Sequence, residues 1–237
     1  MSIVVVTGTG TGVGKTVVTA ALAALSLHRG ARCAVVKPAQ TGVPAGAPGD
    51  LADVARLSGC ADLHELVRYP DPLSPAAAAR RSGRAALDQA AALETVLGLA
   101  DRDLVLVEGA GGLLVRYDED GLTLADLARA LRAPVLVVAG AGLGTLNTTA
   151  LTLEAMATRG LDLLGVVLGS WPAAPGLAEC SNLRDLETLA ARPLLGALPA
   201  GAGAQGPEAF LTTARAGLAP QLGGAFDARA FRTAQGG

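Results

Sequence analysis

Lysine is almost absent from this chain. Of its 19 basic residues, 17 are Arg, and only Lys15 and Lys37 carry an ammonium group. A sequence that places Arg at nearly every basic position keeps Lys where a planar guanidinium does not serve. A tight phosphate cradle that needs a compact point charge is such a place. Asparagine is equally scarce, at Asn147 and Asn182. The formal net charge is −2, with no basic block. The chain therefore lacks the basic stripe of a nucleic-acid-binding surface, and no nucleic-acid partner is expected. No apolar run reaches the roughly 18–20 residues that span a bilayer, so no membrane partner is expected either. Residues 1–6 read as a short apolar strand running directly into a glycine loop. They lack the basic start and cleavage site of a signal peptide, and a cytoplasmic location is the expectation. Cys33, Cys60 and Cys180 are odd in number and widely spaced. They make neither a disulfide framework nor a zinc site, and read as buried or incidental thiols in a reducing compartment. The two histidines, His28 and His64, fall away from every motif, and both are expected on helix surfaces.

What the chain does have is apolar bulk, 51% of its 237 residues, enough for one sizeable core. Short runs rich in Val and Leu at 2–7, 33–37, 103–108, 134–139, 163–168 and 194–198 have the near-continuous apolar character of strands covered on both faces. Between them, helical patterns occupy 15–28, 50–57, 87–99, 124–131, 145–158 and 182–190. Several stop at a glycine, notably Gly30, Gly59 and Gly160. Strands alternating with helices predict an α/β fold, a mainly parallel sheet flanked by helices on both faces. The Pro-rich stretch 69–75 reads as a loop and 201–207 as a flexible connection. No internal repeat is present. The expected organisation is a single P-loop α/β domain over 1–222 and a weakly ordered tail over 223–237.

The most informative motif is Thr7-Gly8-Thr9-Gly10-Thr11-Gly12-Val13-Gly14-Lys15-Thr16. It follows an apolar strand and opens a helix, the context a P-loop requires. Glycines let the backbone curl so that its N–H groups converge on phosphate oxygens, and the helix directs its positive end at the same anion. Gly12, Val13, Gly14, Lys15 and Thr16 would cradle the nucleotide phosphates, with Lys15 on the β- and γ-phosphates and the Thr16 hydroxyl on Mg²⁺. The loop departs from the usual spacing: Thr9 stands five residues before Gly14, and the early glycine is Gly8.

A P-loop site also needs a carboxylate near the metal, commonly at the end of a neighbouring strand. The strand 103–108 ends on Glu108 and runs into Gly109-Ala110-Gly111-Gly112. In open parallel sheets, ligands bind beyond the carboxyl ends of the strands, where Glu108 would sit. Asp50 opens a helix after a Gly/Pro-rich loop and fits either a metal ligand or an ordinary N-cap. Asp53, one turn later, fits the first-turn acid equally well. The spacing alone does not choose between them.

Four segments taken together resemble the dethiobiotin synthetase family. They are the phosphate loop, Lys37-Pro38-Ala39-Gln40-Thr41-Gly42, Val107-Glu108-Gly109-Ala110-Gly111-Gly112 and Leu143-Gly144-Thr145-Leu146-Asn147-Thr148. The displaced Gly8 and Thr9 match the family's own loop, and the likeness runs in order from about residue 2 to 200. The resemblance implies an ATP- and Mg²⁺-dependent ligase. It would convert 7,8-diaminononanoate, CO₂ and the triphosphate into dethiobiotin, ADP and phosphate, through a carbamate and a carbamic–phosphoric anhydride. It implies Thr16, Asp50 and Glu108 as metal ligands, with Lys15, Lys37 and Thr11 acting in catalysis. Lys37 would stabilise the carbamate and the developing phosphoryl charge. Thr11, Lys37, Thr41 and Gly111 would line the substrate site. Gly144, Thr145, Leu146 and Asn147 would form a helix start that receives the substrate carboxylate from the partner subunit of a homodimer. Gly169 and Pro199 would flank the base. Some members present an Asn-Asp pair that reads adenine after the fifth strand; the corresponding stretch here is Leu168-Gly169-Ser170-Trp171-Pro172, and Gly169 has no side chain to discriminate a base.

Two other P-loop classes compete with this reading. Partitioning and positioning ATPases typically carry a second lysine in the loop, at the place of Gly10 here. Cobyrinate-type amide ligases come with a glutamine-hydrolysing domain that 237 residues do not accommodate.

Overall fold

Val5 and Val6 are neighbours in β1 (Ser2–Gly8), yet they face opposite sides of the sheet. Val5 joins one apolar cluster and Val6 the other. The same alternation puts Val105 and Val107 of β4 (Leu104–Gly112) on the first face and Leu106 on the second. In β5 (Val135–Ala139) it divides Val135, Val137 and Ala139 from Leu136 and Val138. A strand buried on both faces needs a helical layer on each. One layer holds α1 (Lys15–His28), α2 (Asp50–Ser58) and α8 (Pro207–Gly217). The other holds α3 (Pro75–Ser82), α4 (Gln89–Gly98), α5 (Leu124–Leu131), α6 (Thr145–Thr158), α7 (Leu177–Ala190) and α9 (Ala228–Ala234). The computed structural model describes residues 2–236.

With β2 (Cys33–Gln40), β3 (Leu63–Arg68), β6 (Leu163–Trp171) and β7 (Gly196–Pro199), the sheet has seven strands in the order β3-β2-β4-β1-β5-β6-β7. Every paired neighbour is parallel. The chain winds outward from β1 to β2 and β3, returns through β4, and then builds β5, β6 and β7 on the far side. Its direction reverses at β1, and such a switch point opens a crevice beyond the carboxyl ends of the strands. The β2–β4 ladder ends at Val36 opposite Val107. Past that point the two strands carry Lys37 and Glu108, and Pro38, which has no N–H to donate, lies beyond this ladder.

Parallel strands between helices are as the sequence pattern predicts, but four elements exceed it. β3 is an additional strand, and α3 begins at Pro75, the last residue of the stretch read as a loop. α7 begins at Leu177 rather than at 182, and α8 follows the 201–207 connection, part of which is a 3-10 turn at Ala202–Ala204. His64 is a correction: it lies on the edge strand β3, not on a helix, and its Nε2 is 2.8 Å from Asp62 Oδ1. Residues 223–236 of the stretch read as a weakly ordered tail include α9, whose Phe231 packs on the core together with the buried Phe226.

Candidate active site

β1 ends at Gly8, and α1 begins at Lys15. A side chain at position 8 would place its Cβ 2.8 Å from the Gly10 carbonyl oxygen, so the displaced early glycine is required by the curl of the loop itself. Gly14 stands in the left-handed region at φ 97° and caps α1 without a side-chain hydrogen bond, which leaves the helix start to be satisfied by an anion. Lys15 is 8% exposed, and its Nζ donates to the Gly10 carbonyl at 3.0 Å. Its pKa is lowered to about 8, first by burial and then by the Lys37 ammonium nearby, against the opposite pull of Glu108 and Asp50.

Lys37 is the centre of the site. At 2% exposure it is deeply buried, and its Nζ lies 2.8 Å from Glu108 Oε1 and 2.5 Å from Asp50 Oδ2. It also donates to the Gly109 carbonyl at 3.1 Å. Burial alone opposes its charge, but the Glu108 and Asp50 carboxylates outweigh that penalty and hold its pKa above the usual lysine value. The Thr16 hydroxyl donates to the same Glu108 Oε1 at 2.8 Å. Four strand and helix ends therefore converge on one point: β2 brings Lys37, β4 brings Glu108, and the starts of α1 and α2 bring Thr16 and Asp50.

The donor set suits Mg²⁺. Glu108 is fully buried, and its Oε2 has no hydrogen-bond partner. Such an orphaned anionic oxygen needs a cation or a donor. No group of three or more His, Cys, Asp or Glu side chains able to hold a metal occurs among the described residues. That is compatible with Mg²⁺, which binds through one or two carboxylates plus substrate phosphates and water. Thr16, Glu108 and Asp50 are the residues that would hold it.

The structure also separates Asp50 from Asp53. Asp53 Oδ1 is paired at 2.8 Å with Arg56, whose guanidinium also donates to the carbonyls of Gly203 and Gln205. It braces the 3-10 turn and does not face Lys37. Asp50 is seated by Gln40, a buried residue of β2 whose Oε1 accepts from the Asp50 backbone N–H at 2.8 Å. We expect Asp50→Asn to raise the Mg²⁺ concentration needed for half-maximal nucleotide turnover by about tenfold. Asp53→Asn should leave it within twofold. Titration of activity with Mg²⁺ in both variants checks this, and the reverse ranking would place the metal one helical turn away.

A cavity of about 600 Å³ opens beside Lys15, Thr16, Lys37 and Asp50. Thr11, Gly12, Gly14, Thr41 and Gly111 line it. Ala39 and Ala110 of the motif segments also line it, with Pro72–Pro75 and Val115, which no motif announces. Tyr117, fully buried, accepts a hydrogen bond from the Ala110 N–H at 3.2 Å and fixes the glycine-rich end of β4, and burial pushes its pKa up. Gly144, Thr145, Leu146 and Asn147 do not line this cavity. The Thr145 hydroxyl is engaged with the Gly140 carbonyl at 2.6 Å, and Leu146 packs on the core. Asn147 and Gly144 are exposed, beside Leu143 at 94% exposure. Gly169 is not open for reading a base by side chain: a Cβ there would fall 2.0 Å from the Val13 carbonyl oxygen of the phosphate loop. Pro199 is exposed at the end of β7.

A parallel sheet switched at β1, a glycine loop opening α1 and an acid pair around a buried lysine define a P-loop nucleotide-binding α/β protein. A family model described as "AAA domain" matches residues 3–207. The chain is 66% identical over 233 residues to an ATP-dependent dethiobiotin synthetase from Parafrankia sp., covering 98% of each chain. It is 56% identical to the one from Streptomyces coelicolor, again over 98% of each. This chain belongs to the ATP-dependent dethiobiotin synthetase family. Among solved structures, chloroplast FtsY from Physcomitrella patens matches with a TM-score of 0.53 at 20% identity, over 99% of this chain and 64% of that one, a likeness of fold alone.

Proposed function

We propose that this chain closes a cyclic urea, converting 7,8-diaminononanoate, CO₂ and ATP into dethiobiotin, ADP and phosphate, a step of biotin synthesis. The observation that carries the reading is the placement of Lys37. A buried ammonium shared between Glu108 and Asp50 stands at the wall common to the phosphate loop and the cavity. In the reaction, one amine of the substrate adds to CO₂ and loses a proton to give a carbamate. A carbamate oxygen attacks the γ-phosphorus, ADP leaves, and the second amine attacks the carbamoyl carbon with loss of phosphate. Each anionic species forms beside Lys37 and Lys15, whose charges favour the phosphoryl transition state over the free reactants. No nucleophilic side chain is needed, which agrees with a cavity lining that has neither Cys nor His. Mg²⁺ held by Thr16, Asp50 and Glu108 would neutralise charge on the phosphate oxygens. Thr11, Thr41 and Gly111 orient the diamine, and Gly169 and Pro199 flank the base.

The test is a coupled assay of ADP release. Release that requires both the diamine and bicarbonate is the expected result. ADP release indifferent to the diamine would favour an ATPase switch of the same fold.

The reading extends to a homodimer with shared sites, working in the cytoplasm. No helix among the described residues is long and apolar enough to cross a membrane. The start of α6, with exposed Gly144 and Asn147 beside the bare Leu143, lies outside its own cavity and suits the carboxylate of a substrate held by a second copy. Asn147→Ala and Lys15→Ala subunits, each nearly inactive alone, should show about half of wild-type activity when combined in a heterodimer, since one of its two hybrid sites keeps both intact halves. Activity of isolated heterodimers reads this out, and no rescue would mean that each site is built within one chain.

A further inference from the structure

Gly169 and Ser170 are the least supported residues of β6. Pairing to β5 ends at Leu168 opposite Ala139, and pairing to β7 breaks between Leu168 and Trp171. Yet Gly169 is the residue that lies against the phosphate loop. A Cβ on Gly14 would come 2.5 Å from the Gly169 carbonyl oxygen, so the two backbones touch with no side chain between them. Besides its packing against the loop and Val138, Gly169 is held by the anchored residues that bracket it, Leu168 before it and Trp171 two residues after it.

Trp171, the single tryptophan, is held from three sides. It is in register with Pro199 of β7, and its carbonyl accepts from the Ala200 N–H at 2.7 Å. Its buried indole meets Phe231 of α9 edge to face, with ring centroids 5.2 Å apart. Phe231 is 5.1 Å from Phe226. Next to it, Arg232 pairs with Glu187 of α7, whose Oε1 accepts from the Leu194 N–H just before β7. The C-terminal helix is thus fastened to β6 through Trp171 and to α7 through Glu187.

We infer that α9 braces the nucleotide site, and that Phe231 is a positioning residue acting through Trp171 to hold Gly169 against the phosphate loop. This rests on the reading that the loop binds a nucleoside triphosphate. An aromatic pair at this geometry supports a change of about fivefold in affinity when one ring is removed. The effect should fall on the nucleotide and spare the diamine, because the Lys37 side of the cavity is built from β2, β4 and α2, none of which α9 touches through these contacts.

The experiment uses the full chain as wild type, Phe231→Ala and Phe231→Tyr. It measures ATP affinity calorimetrically with Mg²⁺, the KM for the diamine, the melting temperature and the emission of Trp171. Phe231→Ala should weaken ATP binding about fivefold, leave the diamine KM and the saturated turnover within twofold, and shift Trp171 emission to the red. Phe231→Tyr, which keeps the ring, should restore ATP affinity to within twofold. If Phe231→Ala does not fold, Arg232→Ala loosens the same helix from outside and should weaken ATP binding without raising the diamine KM. Unchanged ATP affinity in a folded variant with shifted emission would overturn the brace. So would a parallel loss of both affinities. A wild-type chain that binds no triphosphate would overturn the functional reading itself, and the brace with it.

Discussion

Lys37→Ala should lower turnover between about a hundredfold and a thousandfold while Mg²⁺–nucleotide affinity stays within about fivefold. The reason is location. The Lys37 Nζ is bound to Glu108 and Asp50 and faces the cavity, whereas the phosphate loop and Lys15 are complete without it. In the proposed mechanism its charge is needed where carbamate oxygen and γ-phosphorus meet, so its loss would act on the transition state. There is a second cost. Removing one partner of a buried ion pair leaves an uncompensated charge, here Glu108 at 0% exposure, and typically costs about 3–5 kcal/mol. The melting temperature should fall accordingly, and also in Lys37→Met, which keeps the stem but equally lacks the charge. Lys37→Arg should remain inactive, because the planar fork does not fit a pocket shaped around a point charge with contacts at 2.5 and 2.8 Å. Single-turnover kinetics with equilibrium nucleotide binding check the set. Full activity in Lys37→Arg would contradict the role assigned to the ammonium.

Lys15→Ala should fail in the opposite manner, by losing the nucleotide. Its Nζ now ties the loop to the Gly10 carbonyl and would turn to the β- and γ-phosphates. Each charge-assisted contact of this kind is worth about 1.5–3 kcal/mol. Losing two should weaken nucleotide binding by at least about a hundredfold. Diamine binding measured without nucleotide should be unaffected. If Lys15→Ala bound ATP normally and lost only turnover, the division of labour between the two lysines would be reversed.

Much of this was legible in the sequence, for identifiable reasons. Runs such as Leu104–Val107 are apolar at every position because helices cover both faces of the sheet, and such runs stand out. β3 did not, because it is an edge strand with His64, Glu65 and Arg68 among its half-buried residues. α3 was hidden by Pro75, because a proline at the first position of a helix reads the same in sequence as a proline in a loop. α9 is short and rich in Ala and Arg, and its order depends on Trp171, a partner distant in sequence. In the site, Lys37 was exposed by the rarity of its residue type, and Glu108 by its place at a strand end before glycines. Gln40 and Tyr117 act through backbone groups, on Asp50 and Ala110, and such contacts leave no spacing to read. The choice of Asp50 over Asp53 turned on Arg56, which pairs with Asp53 and reaches across to the 3-10 turn.

The most direct test of the central claim is product analysis. The chain is incubated with 7,8-diaminononanoate, isotopically labelled bicarbonate, Mg²⁺ and ATP, and the mixture is examined by mass spectrometry. The account predicts dethiobiotin carrying one labelled carbon, in equal amount to the ADP formed, and none with Lys37→Ala. ADP without a labelled cyclic urea would contradict it.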